Sequence, residues 1–300
     1  MKNNFMMVAL SIVAISCNRH TVPSVTPYSN AEIQNEQGKT ILAGHCSLSM
    51  LYKDPYHQWF DTAYTKYTVD SSIIPKIAPL LQNKEIEIFL GSWCGDSKRE
   101  TPRMIKILQA ASFDTAHLRL IFVDNSTKTY KQSPQHEEKQ KNIHHVPTII
   151  VYENDKEIGR IIESPVASLE KDLLSILQRQ QYTPNYIAIA YWQKNIRHPT
   201  HLLSEETLRS FIPALQPLCE SVREFNAYGY VLLAQHNFNE ALNVFRLNTF
   251  LYPENAVTFG SLAEACYTVG NKEEAKKNYQ KVLLLKPDDE KAKKMLSVLN

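Results

Sequence analysis

The stretch Glu85–Leu108 constrains the fold of this 300-residue chain more than any other. An apolar strand runs to Gly91, and the pentapeptide Trp93–Ser97, with the sequence WCGDS, then opens an amphipathic helix. Cys94 stands at the first turn of that helix, so it faces the positive end of the helix dipole. This position favours the thiolate form of a cysteine, and the stretch therefore predicts a reactive thiol directly after a buried strand.

A second motif follows further along the chain, where Val146-Pro147-Thr148 precedes the apolar strand Ile149–Tyr152. The Trp-Cys-Gly start of the helix resembles the redox motif of the thioredoxin superfamily, and the second motif resembles that family's cis-proline loop. The resemblance covers roughly residues 40–180. It implies an α/β domain with a central mixed sheet flanked by helices, and a cis bond before Pro147. It also implies that this loop lies against the nucleophile and offers its backbone to an incoming polypeptide.

The resemblance implies a site built around Cys94 as the nucleophile. The catalytic candidates are Cys94, Ser97, Trp93 and Pro147. The supporting candidates are Gly95, Asp96, Val146, Thr148, His145 and Lys98. We expect neither a cofactor nor a metal, because the conceivable metal set of His45, Cys46, His144 and His145 ranks below ordinary structural use.

Two departures from the family pattern leave the chemistry open. Ser97 stands where a two-cysteine enzyme has its resolving cysteine, so Cys94 cannot complete an internal cycle at this motif. The family's buried acid, six residues before the nucleophile, is Ile88 here, and the neighbouring Glu87 should point to the other face of the strand. Three alternatives remain: Cys94 acts alone and is released by an external thiol, Cys46 resolves it, or the site binds polypeptide without redox chemistry.

Charged residues near the motif favour a reactive thiol on balance. Three cations on the first helical turns favour the thiolate and one acid opposes it: Lys98, Arg99, Arg103 and Asp96. The backbone of His145, two residues before Pro147, is expected near Cys94. Its ring either polarises the thiol or is an ordinary surface side chain.

The N-terminus carries features of an exported protein. Lys2, the apolar run Phe5–Ile15 and a small-residue site before Cys17 are typical of a secretory signal at residues 1–16. The site resembles the lipobox of bacterial lipoproteins, which implies a lipid on Cys17 and a membrane-anchored protein that faces the periplasm of the cell envelope. A plain signal peptide or an uncleaved anchor is the alternative. Residues 17–40 are polar and contain Pro23 and Pro27, so they are predicted to be a flexible tether.

The C-terminal part of the chain repeats itself with a period of about 34 residues, which resembles the tetratricopeptide repeat. Ala241 and Ala275 are one such pair, and Phe245 and Tyr279 are another. We therefore predict a thioredoxin-like domain at 41–181, a helical connector at 182–222 and an all-α domain of two repeats at 223–300. Because two repeats are few, the predicted helix Ser204–Leu215 or the thioredoxin-like domain must cap them.

The hydrophobic patterns predict the other elements. The predicted strands are Ile41–Cys46, His117–Val123, Ile149–Tyr152 and Glu157–Ile162, and the predicted helices are Asp54–Tyr67, Ile73–Leu81, Gln135–Asn142, Val166–Leu177 and Tyr186–Lys194. Cys219 and Cys266, in the helical half, are predicted to be small buried hydrophobes.

A formal net charge of +2 without a large basic cluster gives no reason to expect a nucleic-acid partner. The expected function is thiol–disulfide exchange on proteins through Cys94, with a peptide or protein partner on the helical repeats and a membrane contact through Cys17. The alternative is a redox-inactive adaptor in which both domains only bind polypeptide.

Overall fold

The computed structural model describes residues 28–196 and 199–299. Its N-terminal part is a mixed six-stranded sheet with the strand order β1-β2-β4-β3-β5-β6. The strands are β1 Ala31–Gln34, β2 Thr40–Cys46, β3 Lys84–Leu90, β4 Leu118–Phe122, β5 Thr148–Glu153 and β6 Lys156–Ile162. Strands β3 and β4 are parallel, and every other neighbouring pair is antiparallel. The central strand β3 ends at Leu90, four residues before Cys94.

One face of the sheet is covered by four helices. They are α1 His57–Lys66, α2 Ile74–Ile77, α3 Gly95–Ala110 and α4 Leu169–Leu177, with a 3-10 turn, Ala78–Leu81, after α2. Ile88 of β3, Met104 of α3 and Leu173 of α4 belong to this core and are fully buried. The apolar spacing that predicted these helices is the spacing that this core requires.

The other face of the sheet is covered by the segment 123–147, which contains no α-helix. Phe89, Ile121 and Val146 lie in this second, smaller core. The predicted helix Gln135–Asn142 is wrong, because these residues form successive turns. His136, Gln140 and Asn142 have positive φ angles, which an α-helix does not accommodate, and the buried Glu138 instead accepts hydrogen bonds from Ser133.

Strand β1 lies within the segment that was predicted to be a flexible tether. Ile33 pairs with Ile41, so residues 31–34 form an edge strand and the tether prediction is wrong for them. The Val146–Pro147 bond is cis, as predicted, and the Asp54–Pro55 bond is also cis. Strands β5 and β6 form a hairpin, in which Asn154 and Asp155 have the positive φ angles of a tight turn.

The C-terminal part is entirely helical. Its helices are α5 Ile187–Ile196, α6 Glu205–Ser210, α7 Ile212–Leu215, α8 Arg223–Ala234, α9 Phe238–Leu251, α10 Ala256–Thr268, α11 Lys272–Leu285 and α12 Glu290–Leu299. The predicted helix Ser204–Leu215 is split into α6 and α7, both of which contact α9. Helices α8 to α11 pack as successive antiparallel pairs, and a Cβ at Gly229 would lie 2.7 Å from the ring of Phe245. Gly229 therefore permits the close approach of α8 and α9.

The helical part packs against the segment that covers the second face of the sheet. The ring of Tyr186 stacks on His145 at 3.8 Å, and Tyr230 of α8 meets Tyr130 edge-on at 6.5 Å. Asn185 donates a hydrogen bond to the carbonyl oxygen of Ser164 at 2.9 Å. Over residues 28–196 and 199–299, no helix combines the length and the apolar character needed to cross a membrane.

Candidate functional site

Cys94 is held between the end of β3 and the start of α3. It precedes the first helical residue in an extended conformation, and its backbone carbonyl accepts a hydrogen bond from the N–H of Lys98 at 3.0 Å. A Cβ at Gly91 would lie 2.5 Å from the ring of Trp93, so only glycine allows the ring to fold back over the turn. The nitrogen of that ring donates to the carbonyl oxygen of Val123 at 2.8 Å, which fixes the indole beside Cys94.

The two sequence motifs meet at the sulfur of Cys94. Its thiol donates to the carbonyl oxygen of Val146 at 3.3 Å, and the sulfur is partly exposed. The hydroxyl of Thr148 donates to the carbonyl oxygen of His145 at 2.7 Å and so braces the same loop around Pro147. The structure therefore brings together the turn of Cys94 and the loop of Val146, which are about fifty residues apart along the chain.

Ser97 has a structural position. Its side chain is 1% exposed, and its hydroxyl oxygen accepts the N–H of Gly91 at 3.1 Å. Ile88 is fully buried under the helices, while Glu87 points to the other face, as predicted. Glu87 is buried as well and is paired there with Lys141 at 2.5 Å and Arg119 at 3.2 Å. Neither residue supplies an acid beside Cys94.

Two of the three predicted cations on the first turns of α3, Arg99 and Arg103, are engaged by acids. Arg99 pairs with Asp96 and with Glu100, both at 2.6 Å, and Arg103 pairs with Glu100 at 3.2 Å. The charge of these two arginines is therefore largely balanced within the helix. Gly95 has open space around its Cα and is exposed.

His145 is not a surface histidine, and that alternative is wrong. Both His144 and His145 are buried, and their Nδ1 atoms are 2.7 Å apart. Burial, and then the positive charge of Lys131, hold the pKa of each imidazole well below its usual range. Two neutral rings are therefore present at neutral pH, and they do not provide a cation for the thiolate.

Cys94 opens into a cavity of about 570 Å³ between the α/β part and helix α8. Most residues that line this cavity were not predicted from the sequence. The unpredicted lining residues include Tyr130, Lys131, Glu163, Tyr186, Arg223 and Tyr230. These residues come from both halves of the chain, and no local pattern distinguishes them. Among these residues, the sequence pattern pointed only to Tyr186, which is the first residue of the predicted helix Tyr186–Lys194 and directly precedes α5.

Two ionisable groups in the cavity are strongly influenced by burial. Burial lowers the pKa of Lys131 to about 8, and nearby Glu163 and Cys94 oppose that shift. Burial also raises the pKa of Glu163, whose carboxylate accepts a hydrogen bond from the hydroxyl of Tyr186. The cavity thus holds an amine that can exchange a proton near neutral pH.

Cys46 cannot resolve Cys94. It pairs with Leu120 of β4, which in turn pairs with Ile88 of β3, so Cys46 lies two strand spacings from β3, about 10 Å. Cys94 instead contacts Val146, which leads into β5 on the far side of β3. A disulfide needs Cα atoms within about 7 Å.

The other cysteines are not placed at the site. Cys266 is buried in the helical core and Cys219 packs against it. Burial raises the pKa of Cys219 to about 12 and that of Cys266 to about 11. Cys17 lies outside the described residues. Within the described residues, no group of three or more histidine, cysteine or acidic side chains is arranged to hold a metal ion.

The chain matches no known family model, and no curated protein is similar to it in sequence.

Proposed function

We propose that this chain is a thioredoxin-like protein that exchanges thiols and disulfides on polypeptides, with Cys94 as its single nucleophile. The observation that carries the proposal is the position of the Cys94 sulfur. It stands at the start of a helix, 3.3 Å from the carbonyl oxygen of Val146, and opens into a cavity. An extended polypeptide in that cavity would bring its own sulfur against Cys94.

The exchange proceeds in two steps. The Cys94 thiolate attacks one sulfur of a substrate disulfide, the sulfur–sulfur bond breaks, and a mixed disulfide forms while the second sulfur leaves and gains a proton. Cys94 is oxidised and the departing sulfur is reduced. Because Ser97 is a serine and Cys46 is out of reach, a second, external thiol must attack the mixed disulfide and release the substrate.

The helical part supports a polypeptide substrate rather than a small one. Asn226 and Tyr230 line the Cys94 cavity and also a groove of about 280 Å³ among α8, α10 and α12. Val257, which is 56% exposed, lies in that groove, which is also lined by the ion pair of Lys286 and Asp289. A peptide that binds between these helices would therefore continue towards Cys94, as expected for a tetratricopeptide-type module.

A second candidate function is a redox-inactive adaptor. The observation that favours it is the engagement of the residues around the thiol: Ser97 caps the turn, and the cations of α3 pair with Asp96 and Glu100. The cavity and the groove would then bind polypeptide with no exchange step.

The proposal includes a location in a bacterial cell envelope, with the chain anchored to a membrane by a lipid on Cys17 and facing the periplasm. Its support is the apolar run Phe5–Ile15 followed by small residues and Cys17. The variant Cys17→Ser is expected to lose membrane association and the lipid mass. A variant that stays membrane-bound with unchanged processed mass would overturn the lipid anchor.

One kinetic experiment separates the two functions. The full-length protein is incubated with excess glutathione and a peptide whose only cysteine is disulfide-linked to glutathione, and release of the free peptide is followed. We expect release to scale with protein concentration, to fall to the background rate in Cys94→Ala, and to be retained in the matched variant Cys219→Ala. Peptide binding without any acceleration of release would favour the adaptor.

A further inference from the structure

The Lys131 side chain lines the Cys94 cavity and is buried, so its ammonium would be stabilised by a nearby anion. It is 4% exposed, and its ammonium donates to the carbonyl oxygen of His144 at 2.5 Å and lies 4.8 Å from the ring centroid of Tyr130. Among the residues that the structure describes, no carboxylate forms an ion pair with it. A lysine is almost never buried without a partner, because removing an ammonium from water is costly.

Two acidic groups lie within electrostatic reach of this ammonium. They are the carboxylate of Glu163 and the sulfur of Cys94, and both line the same cavity as Lys131. The carboxylate already accepts the hydroxyl of Tyr186. An ammonium has three N–H donors, and the carbonyl of His144 takes one of them.

We propose that Lys131 is the charge partner of the Cys94 thiolate and the proton donor to the sulfur that departs from the substrate disulfide. This inference rests on the proposed exchange function and deepens it, because it assigns the proton-transfer role that Ile88 cannot fill. The ammonium stabilises the thiolate before attack. When Cys94 bonds to one substrate sulfur, the other sulfur leaves with the electron pair of the broken bond and takes a proton from Lys131, whose neutral amine is then reprotonated by water.

The other titratable groups around the cavity do not replace Lys131 in this role. His144 and His145 are neutral at pH 7, because burial lowers the pKa of each ring. Burial raises the pKa of Tyr130 to about 12, and burial together with Glu163 raises that of Tyr186. These four side chains therefore carry no charge at neutral pH.

Three charged side chains and one further tyrosine complete the lining. Asp96 is paired with Arg99 at 2.6 Å, and Arg223 lies on the opposite wall, at the start of α8. Burial raises the pKa of Tyr230, which stays neutral. The negative charges of Glu163 and of Cys94 both oppose the effect of burial on the pKa of Lys131.

The test compares alkylation of Cys94 in full-length variants across pH. Iodoacetamide reacts with the thiolate, and the modified site is read by peptide mass spectrometry. In Lys131→Met, which keeps most of the length of the side chain without its charge, we expect alkylation of Cys94 at pH 7 to slow about tenfold and its pH profile to move upward by about one pH unit. The matched control Lys128→Met, an exposed lysine of the same segment, should keep the wild-type profile.

A second measurement needs no substitution and so holds even if Lys131→Met does not fold. The titration of the Lys131 ammonium is followed by NMR in the wild-type protein before and after Cys94 is alkylated. Because the thioether carries no charge, we expect the pKa of Lys131 to fall on alkylation. An unchanged Lys131 titration, or a Lys131→Met profile equal to that of wild type, would overturn the proposal.

The outcomes distinguish this inference from the function on which it rests. If Cys94 of the wild-type protein resists alkylation at every pH below that of unfolding, the exchange function itself fails. If Cys94 reacts and Lys131→Met leaves its pH profile unchanged, only the role of Lys131 is lost.

Discussion

Cys46 and Cys94 lie in the same α/β part of the chain and have opposite surroundings. Cys46 sits within β2, is 1% exposed and belongs to the main apolar core. Cys94 sits at the start of α3, is partly exposed and opens into a cavity shared with the helical part. Burial raises the pKa of Cys46 to about 11, which keeps it a neutral thiol.

This difference shows that the backbone position of each cysteine decides whether its thiol is buried or accessible in this fold. A strand interior surrounds the sulfur with side chains from both layers and removes it from water. The turn between β3 and α3 leaves Cys94 partly exposed beside the carbonyl oxygen of Val146, which accepts its thiol. The position of Cys46 therefore favours packing in the core, and the position of Cys94 leaves its thiol accessible for exchange.

The largest expected effect comes from placing a second cysteine close enough to Cys94 to form a disulfide with it, which Cys46 is too distant to do. In Ser97→Cys, the two cysteines stand at positions i and i+3 of a helix start, a spacing that brings Cβ atoms within about 5–6 Å. After treatment with oxidised glutathione, we expect the variant to end as an intramolecular disulfide and the wild type as a glutathione adduct. Intact-protein mass spectrometry separates these products. The double variant Cys94→Ala/Ser97→Cys is the control and should not form the internal bond.

The second prediction concerns the turn that exposes Cys94. Gly91→Ala would place a methyl group 2.5 Å from the indole of Trp93, whereas Gly95→Ala meets nothing within 4 Å. We expect Gly91→Ala to lower the free energy of unfolding by about 1–3 kcal/mol. The matched variant Gly95→Ala should be neutral or more stable by up to about 1 kcal/mol, because alanine is the better helix former. Urea unfolding measures both, and equal effects would contradict the close packing of Trp93.

The smallest expected effect is a pH dependence that belongs to Cys46. Its pKa is raised from 9.0 to about 11 in the folded chain, so the unfolded chain loses this proton first as pH rises. The contribution of Cys46 to stability is therefore complete below pH 9 and is lost between about pH 9 and pH 11. The slope is at most about 1.4 kcal/mol per pH unit.

The variant Cys46→Ala isolates this contribution from the other thiols and the tyrosines. We expect the difference in unfolding free energy between wild type and variant to shrink as pH rises through that window. A constant difference would mean that Cys46 titrates alike in the folded and unfolded chain.

Much of the fold could be predicted because the apolar pattern and the turn chemistry act locally. Strands β3 to β6 and helix α3 lie close to their predicted bounds, and the loop of Val146 meets Cys94 as expected. Strand β1 escaped prediction because it is a short edge strand in polar sequence, held by its pairing with β2. The false helix at 135–142 has strong helix formers, but Glu138 and Lys141 make tertiary contacts with Ser133 and Glu87 that override this local preference.

The candidate site was only half predictable for the same reason. The turn of Cys94 is a local motif, whereas the cavity in front of it depends on how the helical part docks. Tyr230 and Lys131 are far apart in sequence and share a wall only because α8 packs against the segment 124–147. Burial of His145 follows from the ring of Tyr186 above it, which no pattern near His145 indicates.

The most direct test is to identify which cysteine of this chain attacks a protein disulfide. The reduced full-length protein is mixed with a small protein that carries one disulfide, the reaction is stopped with acid, and the mixed disulfides are mapped by mass spectrometry. We predict a covalent complex through Cys94 that persists in Cys46→Ala, is absent in Cys94→Ala and is cleaved when glutathione is added. Complexes through other cysteines, or none at all, would contradict it.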